Sequence, residues 1–507
     1  MAARVARLAA VMASRPLCAA LLVTALVTAQ RLTGTVDSDV AWQLWIAGRI
    51  HAGAALYRDI IEINPPLWFW MALPIDRVAT LLNLRAEAVL IIAMGALAAL
   101  SLATTDRLLP DLTPGRRALL LAYAALILTA MPWMQVGQRE QIVLIGTLPY
   151  AALIAARREG RRVPTGLAIL IGAGAALGFA LKHYFLFVPV LLELWLAVGH
   201  RKSWRPVRPE TLAVVAVGLA YAAAILLWAR DFLIVAVPLV TLAYGVTGAP
   251  RLLDLIQPAV IVGGVTLALV ASQRRALNHV GSQVGMALLV AASGFLLAYL
   301  VQAKGWSYHA LPLLGCSSIG LAAVLASATK PPRLLAVSAP AILLMPFAIA
   351  AQAAMREELP SPDLRRAVAG LRPGEGVGFI ATDPALAWSI TLQRDLRYAS
   401  RYMGFWMMRA VVRNEQLGDP NPRLAALGRT VVSETVTDFR CTPPRRIIVA
   451  RPRPGEDSFD ILPFFLRDRE FAELLSHYRV RSRTTLDTYE LASPLPAPVP
   501  SICRAGT

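Results

Sequence analysis

Charge is what this chain of 507 residues has least of: only 16% of its side chains are Asp, Glu, Lys or Arg, against about 25% in an ordinary soluble domain. Acids are scarcer still, 32 against 50 Lys and Arg, for a formal charge of +18. In a soluble protein that excess would point to nucleic acid; here much of the Arg sits in short stretches between apolar runs, where it orients helices in a bilayer. Cysteine is rare too. Four are present, without a paired CxxC, which argues against a zinc site. Cys18 and Cys316 lie in apolar runs; Cys441 and Cys503 lie in the tail, open to oxidation if that tail is extracytoplasmic. A Walker P-loop, HExxH, GxSxG and a nicotinamide fingerprint are all missing, which argues against a nucleotide-driven pump and the common hydrolases. No internal repeat is found. Arg4, Arg7 and Arg15 precede an apolar run without a clear cleavage site, so the N-terminus reads as a first span and not as a cleavable signal.

What is abundant is apolar sequence: 57% hydrophobic residues and a mean hydropathy of +0.56. Runs long enough for the hydrocarbon core fall at 16–32, 86–104, 117–134, 140–156, 163–181, 184–199, 211–229, 257–272, 281–302, 310–328 and 334–353, about eleven spans. With the N-terminus inside, the inner loops carry Arg107, Arg116 and Arg117; Arg157, Arg158, Arg161 and Arg162; Arg201, Lys202, Arg205 and Arg208; Arg274 and Arg275; then Lys330 and Arg333. Each is basic, as cytoplasmic loops are. An odd number of spans puts the tail outside.

The opposite loops hold the unusual residues. In the first, 33–85, Asp37 and Asp39 stand two apart, followed by Tyr57-Arg58-Asp59, Glu62, Asn64 and Pro65-Pro66, with Trp42, Trp45, Trp68 and Trp70 suited to a membrane interface. An isolated acidic pair here would simply cap a helix over 40–51 through Asp37 or Ser38. Its place beyond the first span, with a second acidic cluster close by, suits a base that takes a proton from a sugar acceptor; a divalent cation held by the pair is a further option. Pro65 and Pro66 fit the first turn of a helix over 65–81 with Asn64 as cap. Glu62, between isoleucines, has no such structural explanation. Tyr57 and Arg58 would bind a phosphate or hold the acidic cluster.

The later outer loops carry Gln138-Arg139-Glu140, the turn Lys182-His183-Tyr184, the stretch 230–258 with Tyr244 and Asp254, and Lys304-Gly-Trp306-Ser-Tyr308-His309. Fixed cations among these would stabilise a departing phosphate, while Trp306, Tyr308 and His309 would lie against a sugar. The plainer readings are cations snorkelling to headgroups, an interfacial histidine, and an ion pair within the Arg139-Glu140 triplet. From 355 the composition turns polar. GVGFIATDPALAWSI reads as strand, turn and helix, RRIIVARPRP as a strand, FFLRDREFAELLSHY as an amphipathic helix and YRVRSRTTLDTYELA as a hairpin. That is a small α/β domain, 355–507, after a membrane part, 1–354. Ser400-Arg401-Tyr402 and Trp406 read as a surface contact back to the membrane part.

The acidic pair Asp37 and Asp39, followed by the Tyr-Arg-Asp…Glu-x-Asn-Pro-Pro-Leu segment from Tyr57 to Leu67, resembles the GT-C superfamily of integral-membrane glycosyltransferases. Within it the likeness is to bacterial protein mannosyltransferases, aminoarabinose transferases and rhizobial lipopolysaccharide transferases, over about residues 10–355. The resemblance implies a polytopic helical fold, two surface helices in the first loop, a polyprenyl-phosphate-linked sugar donor, and a glycan, lipid or protein acceptor on the extracytoplasmic face of the inner membrane. It implies that a first-loop acid, Asp39 or Asp37, is the catalytic base. Asp-Ser-Asp stands where many relatives have adjacent acids, which leaves both the choice of base and a magnesium or manganese ion open. The expected substrate contacts are Tyr57, Arg58, Glu62, Arg139, Glu140, Lys182, His183, Lys304, Trp306, Tyr308 and His309, with no nucleic acid as partner. The rival readings are a transporter or lipid flippase, for which repeated halves and mid-membrane charges are wanting, and a non-catalytic scaffold.

Overall fold

A computed structural model describes residues 15–199, 204–244, 252–273, 282–356, 360–388, 390–451, 460–496 and 503. The readings made for Arg4, Arg7, Arg201, Lys202, Arg274 and Arg275, and for parts of the 230–258 loop and of the proline-rich tail, lie outside the described residues. In chain order the helices are α1 (Pro16–Arg31), α2 (Ser38–His51), α3 (Leu67–Leu82), α4 (Ala86–Asp106), α5 (Pro114–Thr129), α6 (Arg139–Arg158) and α7 (Thr165–Ala180). They continue as α8 (Phe187–Gly199), α9 (Pro209–Trp228), α10 (Val237–Tyr244), α11 (Pro258–Ser272), α12 (Gln283–Gln302), α13 (Leu311–Ser327) and α14 (Arg333–Arg356). Beyond these lie α15 (Pro362–Ala367), α16 (Ile390–Gln393), α17 (Met408–Glu415), α18 (Pro422–Cys441), α19 (Leu462–Phe465) and α20 (Arg469–Ser476).

All eleven apolar runs form helices, and five segments are long and apolar enough to cross a membrane: Ala86–Asp106, Pro209–Trp228, Gln283–Gln302, Ser307–Ser327 and Arg333–Met355. The stretch read as a loop after 230 is partly helical, with a π-turn at Phe232–Ala236 running into α10.

The chain divides into two compact units. One joins 1–34, 82–224 and 249–357; the other joins 35–81, 225–248 and 358–507. Composition suggested a linear cut near 354 that left the first loop with the membrane helices, whereas the compact units group residues 35–81 with 225–248 and 358–507. In the first unit α12 packs on α13, α8 and α6, and α1 on α5. Small residues permit the close crossings, as is usual among membrane helices: at Gly178 of α7, an added Cβ would stand 2.9 Å from the backbone of Val143 in α6. α13 is buried along most of its length, whereas α9 exposes Leu212, Leu219, Leu226 and Leu227, an apolar surface suited to lipid. The basic residues read as inner-loop orientation signals also pair. Arg157 clasps Glu210 with two bonds of 3.0 Å, Arg208 adds a third at 2.9 Å, and Arg117 holds Asp106 at 2.7 Å.

The second unit is built on a five-stranded sheet, with β1 (Gly376–Ile380), β2 (Arg397–Tyr398), β3 (Arg446–Ala450), β4 (Tyr478–Ser482) and β5 (Leu486–Leu491) in the order β2-β1-β3-β5-β4. β1 runs parallel to β2 and β3, while β5 is antiparallel to β3 and β4, so the expected hairpin is present. The single amphipathic helix expected from FFLRDREFAELLSHY is two, because Asp468 accepts the Phe471 N–H at 3.0 Å and caps a new start. The long α18, unnoticed in the sequence, packs Val431, Val432, Val436 and Phe439 into the core with Phe405, Phe465 and Phe471. Cys441, at its end, is disulfide-bonded to Cys503.

Candidate functional site

In the second unit the acidic loop is organised by α2. Asp37 is its N-cap, with Oδ1 accepting the Asp39 N–H at 2.9 Å, and both aspartates are partly exposed. Asp39 stands in the first turn, where the aligned backbone dipoles favour a negative charge. Three residues on, the Trp42 indole is buried and donates to Glu62 at 2.5 Å. Glu62 is the residue the sequence left unexplained. Its carboxylate, 4% exposed, also accepts from the Ile63 N–H at 2.7 Å and from the Asn64 N–H and Asn64 Nδ2, each at 2.8 Å. Burial pushes its pKa above the ordinary carboxylate range, although these donors favour the charged form. It ties the loop to α2 and has no surface for a substrate. Asn64, expected to cap the next helix, turns its side-chain amide to Glu62, and α3 begins at Leu67.

Tyr57 is likewise internal: 1% exposed, at φ 73°, with its hydroxyl donating to the Asn64 carbonyl at 2.7 Å and its ring against Phe232. Of the two roles considered for it, bracing the loop beside Glu62 fits this packing better than binding a phosphate. Arg58 is exposed and ion-paired with Asp231 at 2.5 Å. The tail residues Ser400, Arg401 and Tyr402 are buried: Ile61 donates to the Arg401 carbonyl at 2.8 Å, and Arg401 is fixed by Asp438 at 2.6 Å and Glu434 at 2.9 Å. Arg401 and Tyr402 thus make the contact back to residues 1–354 that the sequence suggested, through the first loop, but the contact is buried and not a surface one. Trp42 and Trp45 stack at 4.7 Å and pack on Trp388 and Tyr398. The indoles read as interface anchors are thus core or half-buried. No signal within either segment alone could have paired 42–45 with 388–398.

In the first unit, residues from three separate turns meet. Arg139 and Glu140 open α6 and are buried. Lys182 stands in extended conformation between α7 and the 3-10 turn His183–Leu186, and donates to Glu140 Oε1 at 2.5 Å. His309, 5% exposed, brings Nε2 to 3.8 Å from the same oxygen, and the Lys182 ammonium lies 5.6 Å from the Tyr308 ring. The turn that presents them depends on Ala303 at φ 49° and Gly305 at φ 68°, where a Cβ would meet the Asp254 carbonyl oxygen at 2.5 Å. Trp306 stacks on Tyr308 at 5.8 Å and stays 46% exposed. Lys304 is partly buried, and burial lowers its pKa below the usual lysine range. His183 is exposed, its ring against Tyr184. Glu140 Oε2 and both ring nitrogens of His309 are buried without a hydrogen-bond partner among the described residues. Such atoms cost about 1–3 kcal/mol each when left unpaired, so a polar guest at this cluster would be stabilised. Among the described residues no three of His, Cys, Asp and Glu converge to hold a metal ion; Asp37 and Asp39 alone are an incomplete donor set for magnesium or manganese.

No family model matches the chain, and no curated protein matches it in sequence. Among solved structures it is similar to the single-particle cryo-EM structure of arabinofuranosyltransferase AftD from Mycobacteria, at 16% identity and a TM-score of 0.47, over 95% of this chain and 40% of that one. It is also similar to a mutant of the same protein, at 16% identity and a TM-score of 0.43, over 94% of this chain and 41% of that one. The chain therefore spans about two fifths of the length of the solved structures it resembles.

Proposed function

We propose that this protein is an integral-membrane glycosyltransferase of the GT-C type that moves a sugar from a polyprenyl-phosphate donor to a glycan, lipid or protein acceptor on the extracytoplasmic face of the inner membrane. The observation that carries the reading is the cluster at the head of α6. Arg139 and Lys182, with Lys304 in the same turn as Tyr308 and His309, outnumber the one buried carboxylate, Glu140. An excess of fixed cations beside orphaned polar atoms suits a lipid phosphate, whose negative charge grows as the sugar departs. The exposed Trp306 offers a ring face to the sugar.

In the reaction the acceptor oxygen attacks the anomeric carbon and the bond from that carbon to the phosphate oxygen breaks. The electron pair leaves with the polyprenyl phosphate, and the acceptor proton passes to a first-loop carboxylate. Asp37 serves as a cap, so the base is assigned to Asp39; one displacement inverts the anomeric centre. The Cys441–Cys503 bridge favours an oxidising compartment for the tail.

The test is transfer of labelled sugar from a polyprenyl-phosphate donor by membranes containing the wild type or Lys182→Met. The reading expects transfer by the wild type, and in the variant a donor KM raised by about a hundredfold, the scale of losing a charge-assisted bond. An unaltered donor KM in Lys182→Met, or no transfer by the wild type from any such donor, would reject it.

A further inference from the structure

Arg49, on α2 of the second unit, has a guanidinium for which no hydrogen bond or ion pair is found among the described residues. Its Nε is buried without a hydrogen-bond partner, and no ion pair within 4 Å ties it to any described residue. The carboxylates whose charge bears on it are engaged elsewhere: Asp59 Oδ2 accepts the Ala55 N–H at 2.8 Å, and Asp438 is clasped by Arg401 at 2.6 Å. Burial, the largest influence, pulls the Arg49 pKa down in spite of both acids, so its charge is under-compensated where it stands. The contrast within the unit is direct. Arg401 serves a structural purpose and places its nitrogens on Asp438 and Glu434; Arg446, whose Nε is likewise without a partner, still sets its terminal nitrogen on the carbonyls of Ala367 and Ala369.

Among the described residues the Arg49 guanidinium lies beside the half-buried ring of Trp45, 5.5 Å away, a contact worth about 0.5–1 kcal/mol. The two side chains lie on the same helix as Asp39. Ten residues separate Asp39 from Arg49, about 15 Å along the axis, and at 3.6 residues per turn the two stand about 80° apart around it.

We propose that Arg49 and Trp45 form an acceptor subsite, and that the acceptor is a glycan bearing an oxyanion, a carboxylate or a phosphate ester. The planar fork of Arg pairs with either group through two parallel bonds, while Trp45 lies beside it to bear on the attached ring. The acceptor would then run along α2 with its nucleophilic hydroxyl toward Asp39. This rests on the transferase reading for its purpose but not for its test.

The test is direct binding to the full-length protein in nanodiscs, free of donor. The probes are a uronate-containing oligosaccharide and its carboxyl-reduced form, and a phosphorylated oligosaccharide and its dephosphorylated form. The wild type should bind one anionic probe at least about tenfold tighter than its neutral counterpart, and which one names the group. Arg49→Met should lose that preference, and Arg49→Lys should recover only part of it for want of the fork. Equal binding of charged and neutral probes by the wild type in both pairs, or full preference in Arg49→Met, would overturn the subsite. Because no sugar is transferred in this measurement, failure of the transferase reading would be seen separately, in the labelled-donor reaction.

Discussion

Glu62 and Glu140 are both buried carboxylates near a helix start, one in each unit of the molecule, and they differ in what surrounds them. Glu62 is saturated: four donors from Trp42, Ile63 and Asn64 converge on it. Glu140 is not: one oxygen meets Lys182 and lies near His309, and the other has no partner among the described residues. Burial alone therefore does not mark a functional acid. A carboxylate with both oxygens engaged holds chain to chain; one left open in the company of cations is available to a guest. The difference also separates two motifs that looked alike in the sequence, where Glu62 and Glu140 were both assigned to substrate.

The largest effect that sharpens this comparison is on stability. Glu62→Gln replaces one of two engaged oxygens by an NH2 that opposes the donor aimed at it, and should cost about 3 kcal/mol, the upper end for orphaning a buried donor. Chemical denaturation followed by tryptophan fluorescence checks it. A variant as stable as the wild type would mean that the saturation of Glu62 is unimportant. Glu140→Gln should behave in the opposite way. Its Oε1 still accepts from Lys182 and no described donor opposes the new NH2, so the fold should hold. Donor KM should rise about tenfold, or 1.4 kcal/mol, because the carboxylate no longer fixes the lysine and histidine around it. A large loss of stability with unchanged kinetics would erase the distinction between the two acids.

The smallest effect concerns pH. Burial lowers the Lys304 pKa, so its charge is lost at a lower pH than that of a free lysine. Donor KM should therefore rise as pH is raised toward that lowered value and stay flat below it. Lys304→Arg, which remains charged, should flatten the alkaline rise by a factor of about two to three, consistent with a partly exposed phosphate contact. A parallel rise in the variant would remove Lys304 from the site.

What could be read beforehand follows the range of the forces involved. Apolar runs, the helix beginning near Asp37 and the β4–β5 hairpin depend on neighbours in sequence and were legible. The meeting of Lys182 with His309 was foreseen only as a shared side of the membrane; that both converge on Glu140 needed the packing of α6 against α7 and α13. The role of Glu62 was hidden because its decisive donor, Trp42, lies 20 residues away. That the tail around Arg401 reaches back was legible; that its partner is Ile61 of the first loop, with Asp438 behind it, was hidden because the three meet only in the folded chain. α18 escaped notice because its apolar positions are interleaved with Arg, Ser, Glu and Thr, a pattern without a long hydrophobic run.

The central claim is that a first-loop aspartate takes the acceptor proton while a lipid phosphate departs. The most direct measurement is release of free polyprenyl phosphate together with acceptor labelling by purified protein, for the wild type, Asp39→Asn and Asp37→Asn. Asn is as good an N-cap as Asp, so Asp37→Asn should stay within about tenfold of the wild type. Asp39→Asn should fall by about a thousandfold, the usual worth of a general base. Wild-type rates in Asp39→Asn would contradict the account.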